Sequence, residues 1–529
     1  MKNMKREGGP MGQVTGMNPI LYTDYPDPDI IRVDDTYYMV STTMHFMPGC
    51  VILRSYDLIH WEIASYVYET LDDTPGQRLA DDKGIYGKGM WAATIRYHKG
   101  TFYVCFVAND TGKTYLYTSN SIEGPWKKSY IEGFFHDNSL LFDDDGRVYI
   151  AYGNREIYIT ELNEDLTAPK EGGLHRMAIK DTGDVILGYE GAHFYKINGK
   201  YYLFFIHWPK GGYRTEACFC ADSLLGEFTG GDVLSYDLDG IHSGVAQGGI
   251  VDTPDGDWYS IMFQDHGAVG RIPVLVPVTW KNDFPVFGEG IAPKTLTVNT
   301  EKADYVYEPL WCDDDFTYTP DATGKVTLKK PWQWNHNPDH ALWSVTEKPG
   351  TLRIRSGKIC TNLVQAVNTL TQRTIGPKCA AEVTLCGNEL KDGDYAGLCT
   401  LQGDYGFIAL TKEEGRTYLV MAEKAPTEGY AGMGKVDPEP AKIIAKLPVD
   451  SDTVTLRAVC ELTPTDTAEF FYATEENGVQ SEFKKLGDTH KLYFKLDHFV
   501  GCRFGMFLFS TKDTGGMAEF SDFRYFAEV

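Results

Sequence analysis

The sequence has little positive charge for its length and no long hydrophobic run. Its 50 Lys and Arg are outnumbered by 74 Asp and Glu, which gives a net charge of −24 over 529 residues. Nucleic acids and anionic membranes are bound through basic patches, so this balance argues against both as partners. The opening segment MKNMKREGGPMGQV lacks the apolar core of a secretory signal, and we expect no transmembrane segment elsewhere.

The cysteines lack any pattern of disulfide or metal chemistry. There are eleven, an odd number, with no CxxC motif and no metal-finger spacing. Several, such as Cys105 and Cys218, lie inside apolar strand-like runs. This usage predicts buried free thiols in a reducing compartment, and we therefore expect a cytoplasmic protein. The sequence does not specify the oligomeric state.

Long helical periodicities are missing from the first 300 residues, whereas aromatic residues are abundant. The 33 Tyr, 27 Phe and 10 Trp favour β-structure and suit sugar binding by ring stacking. Five segments share a short apolar run, a polar turn and a second, aromatic-rich run. Their turns lie at 34–35, 99–100, 145–146, 198–199 and 255–256. Each segment predicts a β-hairpin.

These hairpins predict a five-bladed β-propeller, because one such unit cannot bury both faces of its sheet and several around an axis can. If the first strand of each hairpin is the innermost of its blade, equivalent positions converge at one mouth of the central channel. Those positions hold Asp27, Trp91, Asp137, Glu190 and Gln247. Three carboxylates from three blades would then meet.

The sequence changes character after the fifth hairpin. Residues 300–309 are typical of a linker, and segments such as Gly350–Ser356 and Ala396–Gln402 then alternate between polar and apolar positions. Strand after strand with polar turns predicts a β-sandwich. We therefore expect an all-β chain, with a catalytic propeller over residues 1–300 and a C-terminal sandwich over residues 310–529.

Converging carboxyl groups indicate hydrolysis of a glycosidic bond. That reaction needs one acid to protonate the leaving oxygen, and either a base to activate water or a nucleophile. Inverting enzymes hold the two carboxyl groups roughly 6.5–9.5 Å apart, which suits groups on different blades. A third carboxylate close by would raise the pKa of the acid and help to keep it protonated.

The chain resembles glycoside hydrolase family 43, in particular its two-domain β-xylosidase and α-L-arabinofuranosidase members. The propeller half carries the segments Tyr25–Ile30, Trp91–Arg96 and Glu190–His193, and the second half carries Trp332–Pro338 and Asp522–Tyr525. The resemblance covers nearly the whole chain. It implies a five-bladed propeller, a concanavalin-like sandwich and a single-displacement, inverting reaction.

The resemblance also implies roles for single residues. Asp27 matches the general base, Asp137 the residue that modulates the pKa of the acid and orients it, and Glu190 the general acid. Arg271 matches an arginine that contacts sugar hydroxyls beside the base, with a structural ion pair as the alternative. Trp91 would form a stacking wall, with core packing as the alternative.

Two departures from the family pattern affect specificity and metal binding. Met44 and His45 stand where xylosidase relatives often carry different residues in the wall of the sugar subsite, so we expect both to contact substrate. We therefore expect a preference for arabinofuranose over xylose. Gln247 stands where many relatives have a metal-binding channel histidine, which puts a central ion in doubt. His266 is a further substrate-binding candidate, with a structural role as the alternative.

The chemistry requires no cofactor, and the partner implied is a pentose-containing oligosaccharide. A structural calcium ion near Asp315 and Asp522 stays an open alternative. Two other functions compete with the exo-acting pentosidase. One is a retaining, fructosidase-type propeller, whose hallmark motifs are absent here. The other is a carbohydrate-binding protein without turnover, against which the three acids argue.

Overall fold

The computed structural model describes residues 12–427, 436–476, 479–495 and 497–527. Within these ranges the only helical elements are four 3₁₀ turns. They are Leu238–Gly240, Gly267–Val269, Gly288–Gly290 and Leu363–Gln365. No helix of the described ranges is long and apolar enough to cross a membrane. The fold is all-β, as the sequence predicts.

Five four-stranded antiparallel sheets, hereafter blades 1 to 5, follow one another along the chain. Blade 1 consists of Asp29–Val33, Thr36–Ser41, Gly49–Ser55 and Glu62–Tyr68. Blade 2 consists of Met90–His98, Thr101–Ala108, Lys113–Ser119 and Lys127–Ile131. Blade 3 consists of Ser139–Phe142, Val148–Asn154, Glu156–Leu162 and His175–Lys180. Blade 4 consists of Val185–Ile197, Lys200–Pro209, Thr215–Ala221 and Thr229–Leu234, and blade 5 of Ala246–Asp252, Trp258–Asp265, Arg271–Lys281 and Phe284–Phe287.

The predicted hairpins form the first two strands of each blade. Their turns follow local chemistry: Asn198 and Gly199 adopt φ of 50° and 83°, which suits the twist of a tight hairpin. The five first strands contact one another in a closed ring around the axis. Gly12–Met17 pairs with Thr295–Thr300 outside the blades. The predicted five-bladed propeller is therefore confirmed.

A buried charge network joins the blades at the axis. Asp29 has no exposed surface, and its carboxylate accepts hydrogen bonds from Arg96 of blade 2 at 2.7 Å and lies 3.0 Å from the His193 ring of blade 4. Burial opposes the charge on Asp29, but the Arg96 cation, His193 and the backbone N–H of Ile95 outweigh it and hold the pKa of this carboxyl well below its usual range. The network fixes three blades relative to one another just below the channel mouth.

The C-terminal half forms two larger sheets. One has the order Lys442–Pro448, Arg416–Lys424, Tyr405–Glu413, Asp394–Leu401, Arg503–Ser510, Leu370–Arg373, Gln333–Asn335, Phe46–Met47. The other has the order Trp343–Ser344, Leu352–Arg355, Met517–Phe526, Lys378–Cys386, Thr453–Glu461, Thr467–Ala473, Lys484–Lys485, with His490–Lys491 also paired to Thr467–Ala473. Glu475–Glu476 and Val479–Gln480 form a small separate ladder. Apolar residues from both large sheets share one core, which makes this half a β-sandwich.

The sandwich is joined to the propeller by backbone pairing. Phe46–Met47 leaves blade 1 and pairs with Gln333–Asn335 as the edge strand of a sandwich sheet. The Asp24 carboxylate accepts hydrogen bonds from the backbone N–H groups of both Arg271 and Gly501. Whether residues 1–300 and 310–529 would fold as separate domains stays a prediction. All eleven cysteines lie in the described ranges, and none is paired with another.

Candidate active site

The three predicted acids reach the channel mouth from different blades. Asp27 and Asp137 each lie two residues before the first strand of their blade, and Glu190 lies within the first strand of blade 4. Asp27 and Asp137 have φ of 52° and 48°, a left-handed conformation that costs a non-glycine residue roughly 1–2 kcal/mol. Such strain persists where the surrounding fold imposes it, and it is concentrated at functional sites. Here it aims both carboxyl groups at the cavity.

Asp27 is paired with the buried Arg271. The guanidinium Nη1 donates to Asp27 Oδ1 at 2.7 Å, and the two side chains are 2% and 8% exposed. The ring of Phe499, which belongs to the sandwich, lies 4.1 Å from the centre of the guanidinium group. Sequence reasoning selected Arg271 and missed Phe499. A permanent positive charge and an aromatic cover therefore accompany the carboxylate assigned as the base.

Asp137 and Glu190 form the second half of the site, with His136 between them. His136 Nε2 lies 3.7 Å from Asp137 Oδ2 and 3.5 Å from Glu190 Oε2. Burial raises the pKa of Asp137 to about 7, the charges of Glu190 and Asp27 act in the same direction, and His136 opposes them. Burial would lower the pKa of His136, but the two carboxylates outweigh it and raise that pKa to about 9. The two acids therefore raise the pKa of His136, and His136 in turn lowers that of Asp137.

Asn154, at the end of the second strand of blade 3, is a site residue that sequence reasoning missed. Its Nδ2 donates a hydrogen bond to Glu190 Oε2, the same oxygen that faces His136. A lone Asn at a strand end carries no signal in the sequence. Asn154 reaches Glu190 only because blades 3 and 4 pack side by side.

Gly191 allows the acids to approach one another. Its φ is 65°, and a Cβ at this position would lie 2.7 Å from Cγ and Cδ of Gln247. Its N–H donates to Asp137 Oδ2 at 3.2 Å, which ties the Glu190 strand to the neighbouring acid. Gln247 itself is buried, and its backbone N–H donates to the carboxylate of Glu216. Its side chain packs against Gly191, and its predicted contact with substrate stays a prediction.

An apolar wall lines the site. Met44 and Trp91 belong to one cluster with Phe46, Phe499 and Val500, so both the propeller and the sandwich contribute to it. Trp91 is half-buried, its ring lies 5.7 Å from that of His136, and its indole N–H has no hydrogen-bond partner among the described residues. A half-buried indole ring suits packing against the face of a sugar.

Two of the predicted substrate contacts are buried histidines. His45 is 1% exposed, and its ring contacts Tyr86 and His336 at centroid distances of 4.8 Å and 4.9 Å. The His45 ring therefore faces the domain interface, whereas Met44 packs in the cluster with Trp91 and Phe499. His266 is buried with its ring edge-on to Tyr22 at 5.0 Å. The predicted contacts of these two histidines with substrate stay predictions.

One group of side chains in the described residues has the spacing of metal ligands: His136, Asp137 and Glu190 offer three donor atoms within 4.8 Å of one another. A metal there would need His136 as a neutral imidazole, whereas the two neighbouring carboxyl groups raise the pKa of that ring. Whether this group holds a metal stays a prediction. Near the sandwich, Asp315 accepts a hydrogen bond from the backbone of Thr317, and the calcium alternative there stays a prediction.

The sequence was compared with models of known families. The model for glycosyl hydrolases family 43 matches residues 17–285, a range that contains the three acids and Arg271. The chain belongs to glycosyl hydrolase family 43. The β-xylosidase C-terminal concanavalin A-like domain matches residues 324–526, so the sandwich of this family 43 protein is concanavalin-like, as predicted. The resemblance seen in the sequence is confirmed.

Relatives of this family 43 protein carry names of pentose-releasing enzymes. A β-xylosidase of Formosa agariphila is 26% identical over 573 residues, covering 98% of this chain and 91% of the relative. A non-reducing end α-L-arabinofuranosidase of Bacteroides ovatus is 29% identical over 368 residues, covering 66% of each chain. A solved structure from Bacteroides eggerthii, described as bifunctional GH43-CE, is 40% identical with a TM-score of 0.87 over 98% of this chain, which spans 64% of that longer one. The protein is a glycosidase of the xylosidase and arabinofuranosidase group.

Proposed function

We propose that this glycosidase is an exo-acting, inverting pentosidase that releases terminal α-L-arabinofuranose, β-D-xylose or both from plant hemicellulose oligosaccharides. The observation that carries the proposal is the meeting of Asp27, Asp137 and Glu190 at one channel mouth, with Arg271 bound to Asp27. The names of the relatives support a pentoside substrate.

In the proposed reaction Glu190 gives its proton to the glycosidic oxygen as the bond between that oxygen and the anomeric carbon breaks. A water molecule attacks the anomeric carbon from the opposite face and gives its proton to Asp27. The products are a free pentose of inverted configuration and a shortened oligosaccharide. Solvent then returns the proton from Asp27 to Glu190, and Asp137 keeps Glu190 oriented between turnovers.

The exo mode is supported by the sandwich. Phe499 covers Arg271 and lies 6.2 Å from the Trp91 ring, so an element of the second domain lies beside the acids. We infer that it closes one side of the cavity that receives the sugar. A cavity closed on that side accommodates a terminal sugar and excludes a chain that continues past it. The half-buried Trp91 then forms the wall against which the terminal pentose binds, and Met44 packs in the same cluster.

Replacement of Glu190 by Ala tests the acid assignment. We expect activity on xylobiose and arabino-oligosaccharides to fall by about 10²-fold or more, since general acid catalysis supplies roughly 10²–10⁴. The same substitution at Glu156, an exposed residue of blade 3 paired with Lys180, is the control and should leave activity unchanged. Normal cleavage by Glu190→Ala would show that another group is the acid.

A kinetic comparison on 4-nitrophenyl β-D-xylopyranoside and 4-nitrophenyl α-L-arabinofuranoside decides between the two sugars. We expect turnover of at least one, with a preference for the arabinofuranoside. Saturable binding of both without product release would contradict the proposal and favour a carbohydrate-binding protein. The unpaired cysteines further support a cytoplasmic location, which cell fractionation tests.

A further inference from the structure

We infer that His136 and Asn154 form a two-donor clamp on one oxygen of Glu190, which reserves the other oxygen for the catalytic proton. The inference rests on the proposed role of Glu190 as general acid. Both donors reach the same atom: Asn154 Nδ2 donates to Oε2, and His136 Nε2 lies 3.5 Å from it. Among the described residues no hydrogen bond engages Oε1.

The backbone holds the two donors in position. The N–H of Gly153 donates to the carbonyl of His136 at 3.0 Å, and the N–H of Arg155 donates to the carbonyl of Tyr189 at 2.8 Å. The residues on either side of Asn154 are thus tied to the other donor, His136, and to Tyr189, the neighbour of the acid. Gly153 has φ of 135°, and a Cβ there would lie 2.1 Å from a carbonyl oxygen of the same hairpin, so the turn requires glycine. Backbone hydrogen bonds therefore tie the end of the strand that carries Asn154 to the turn that carries His136.

The clamp acts on charge that appears during the reaction. When Glu190 gives up its proton, negative charge develops on its carboxyl group, and two donors already directed at Oε2 stabilise that charge without reorganising. The ionisable groups facing His136 are Asp137 and Glu190, whereas Trp91 presents an uncharged ring. The His136 ring can therefore stabilise the negative charge left on Glu190, and it also lowers the pKa of Asp137.

His136→Phe removes the nitrogen and the charge but keeps a ring against Trp91, and Asn154→Leu removes the other donor at similar volume. We expect each to lower kcat by about tenfold or more on a xylo- or arabino-oligosaccharide. On the matching 2,4-dinitrophenyl pentoside, whose leaving group needs no proton, we expect a change below about threefold. His136→Gln, which keeps an uncharged donor, should recover part of the loss. His175→Phe, on the outer strand of the same blade, is the matched control and should behave as wild type.

The pH profile supplies a readout that a purely structural role would not move. His136 lowers the pKa of Asp137, so both His136→Phe and His136→Gln should shift the basic limb of kcat/KM to higher pH. Equal losses on both substrates, or an unmoved basic limb, would overturn the clamp. If the wild type hydrolyses pentosides, either of these results would overturn the clamp alone and leave the proposed function intact. A wild type that is inactive on every pentoside would overturn the clamp and the proposed function together. An NMR titration of the His136 ring is independent of activity: its pKa should fall in Glu190→Gln, and an unchanged value would contradict the contact.

Discussion

Gly191→Ala tests whether the site needs a residue without a Cβ next to Glu190. Ala at φ of 65° costs roughly 1–2 kcal/mol relative to Gly. The added Cβ would also lie 2.7 Å from the buried Gln247 side chain, and forcing an extra methyl group into a packed interior costs about 1–3 kcal/mol. The sum is a loss of about 2–5 kcal/mol in the free energy of unfolding.

Gly199→Ala is the matched control in the same blade. Gly199 has φ of 83°, and a Cβ there would meet nothing within 4 Å, so only the backbone cost of roughly 1–2 kcal/mol applies. Urea unfolding followed by Trp fluorescence should place Gly191→Ala about 1–3 kcal/mol below Gly199→Ala. Activity should fall about tenfold or more in Gly191→Ala alone, because displacing its N–H from Asp137 misplaces the acid pair. Two variants equal in stability and in activity would refute the reasoning.

Two further predictions follow from the contacts of the site and of the axis. Phe499→Ala removes the ring that covers Arg271 and should weaken sugar binding beside it. Steady-state kinetics should therefore show a higher KM with at most about a threefold change in kcat. An unchanged KM would argue against sugar binding under this ring. Asp29→Asn leaves the buried Arg96 without its partner and should cost about 3–5 kcal/mol of unfolding free energy. Since folding depresses the pKa of Asp29, its contribution in the wild type is present above about pH 4 and is lost as pH falls, so the stability gap between the two proteins should narrow in acid and not widen.

The sequence was most informative where structure depends on local chemistry. The hairpin turns were recognisable because turns such as Asn198-Gly199 require residues that adopt positive φ. Their repetition placed Asp27, Asp137 and Glu190 in equivalent positions, and the structure brings them to one channel mouth. Register along a strand has a period of two, so a hairpin with a known turn also fixes which side chains face inward.

What the sequence could not predict depends on contacts between distant segments. Phe499 lies 228 residues from Arg271 in the chain, and nothing around it indicates that a sandwich loop covers a propeller residue. The surroundings of His45 have the same origin, because the residues that follow it, Phe46–Met47, pair with the sandwich. Asn154 was missed because its neighbour in space, Glu190, belongs to another blade.

The stereochemistry of hydrolysis tests the central claim most directly, because only separate base and acid groups with a water molecule between them invert the anomeric centre in one step. ¹H NMR spectra recorded in the first minutes of hydrolysis of a β-D-xylopyranoside identify the anomer formed before mutarotation. The account predicts α-D-xylose as the first product, and the β-anomer from an α-L-arabinofuranoside. Appearance of the substrate's own anomeric configuration as the first product would contradict it.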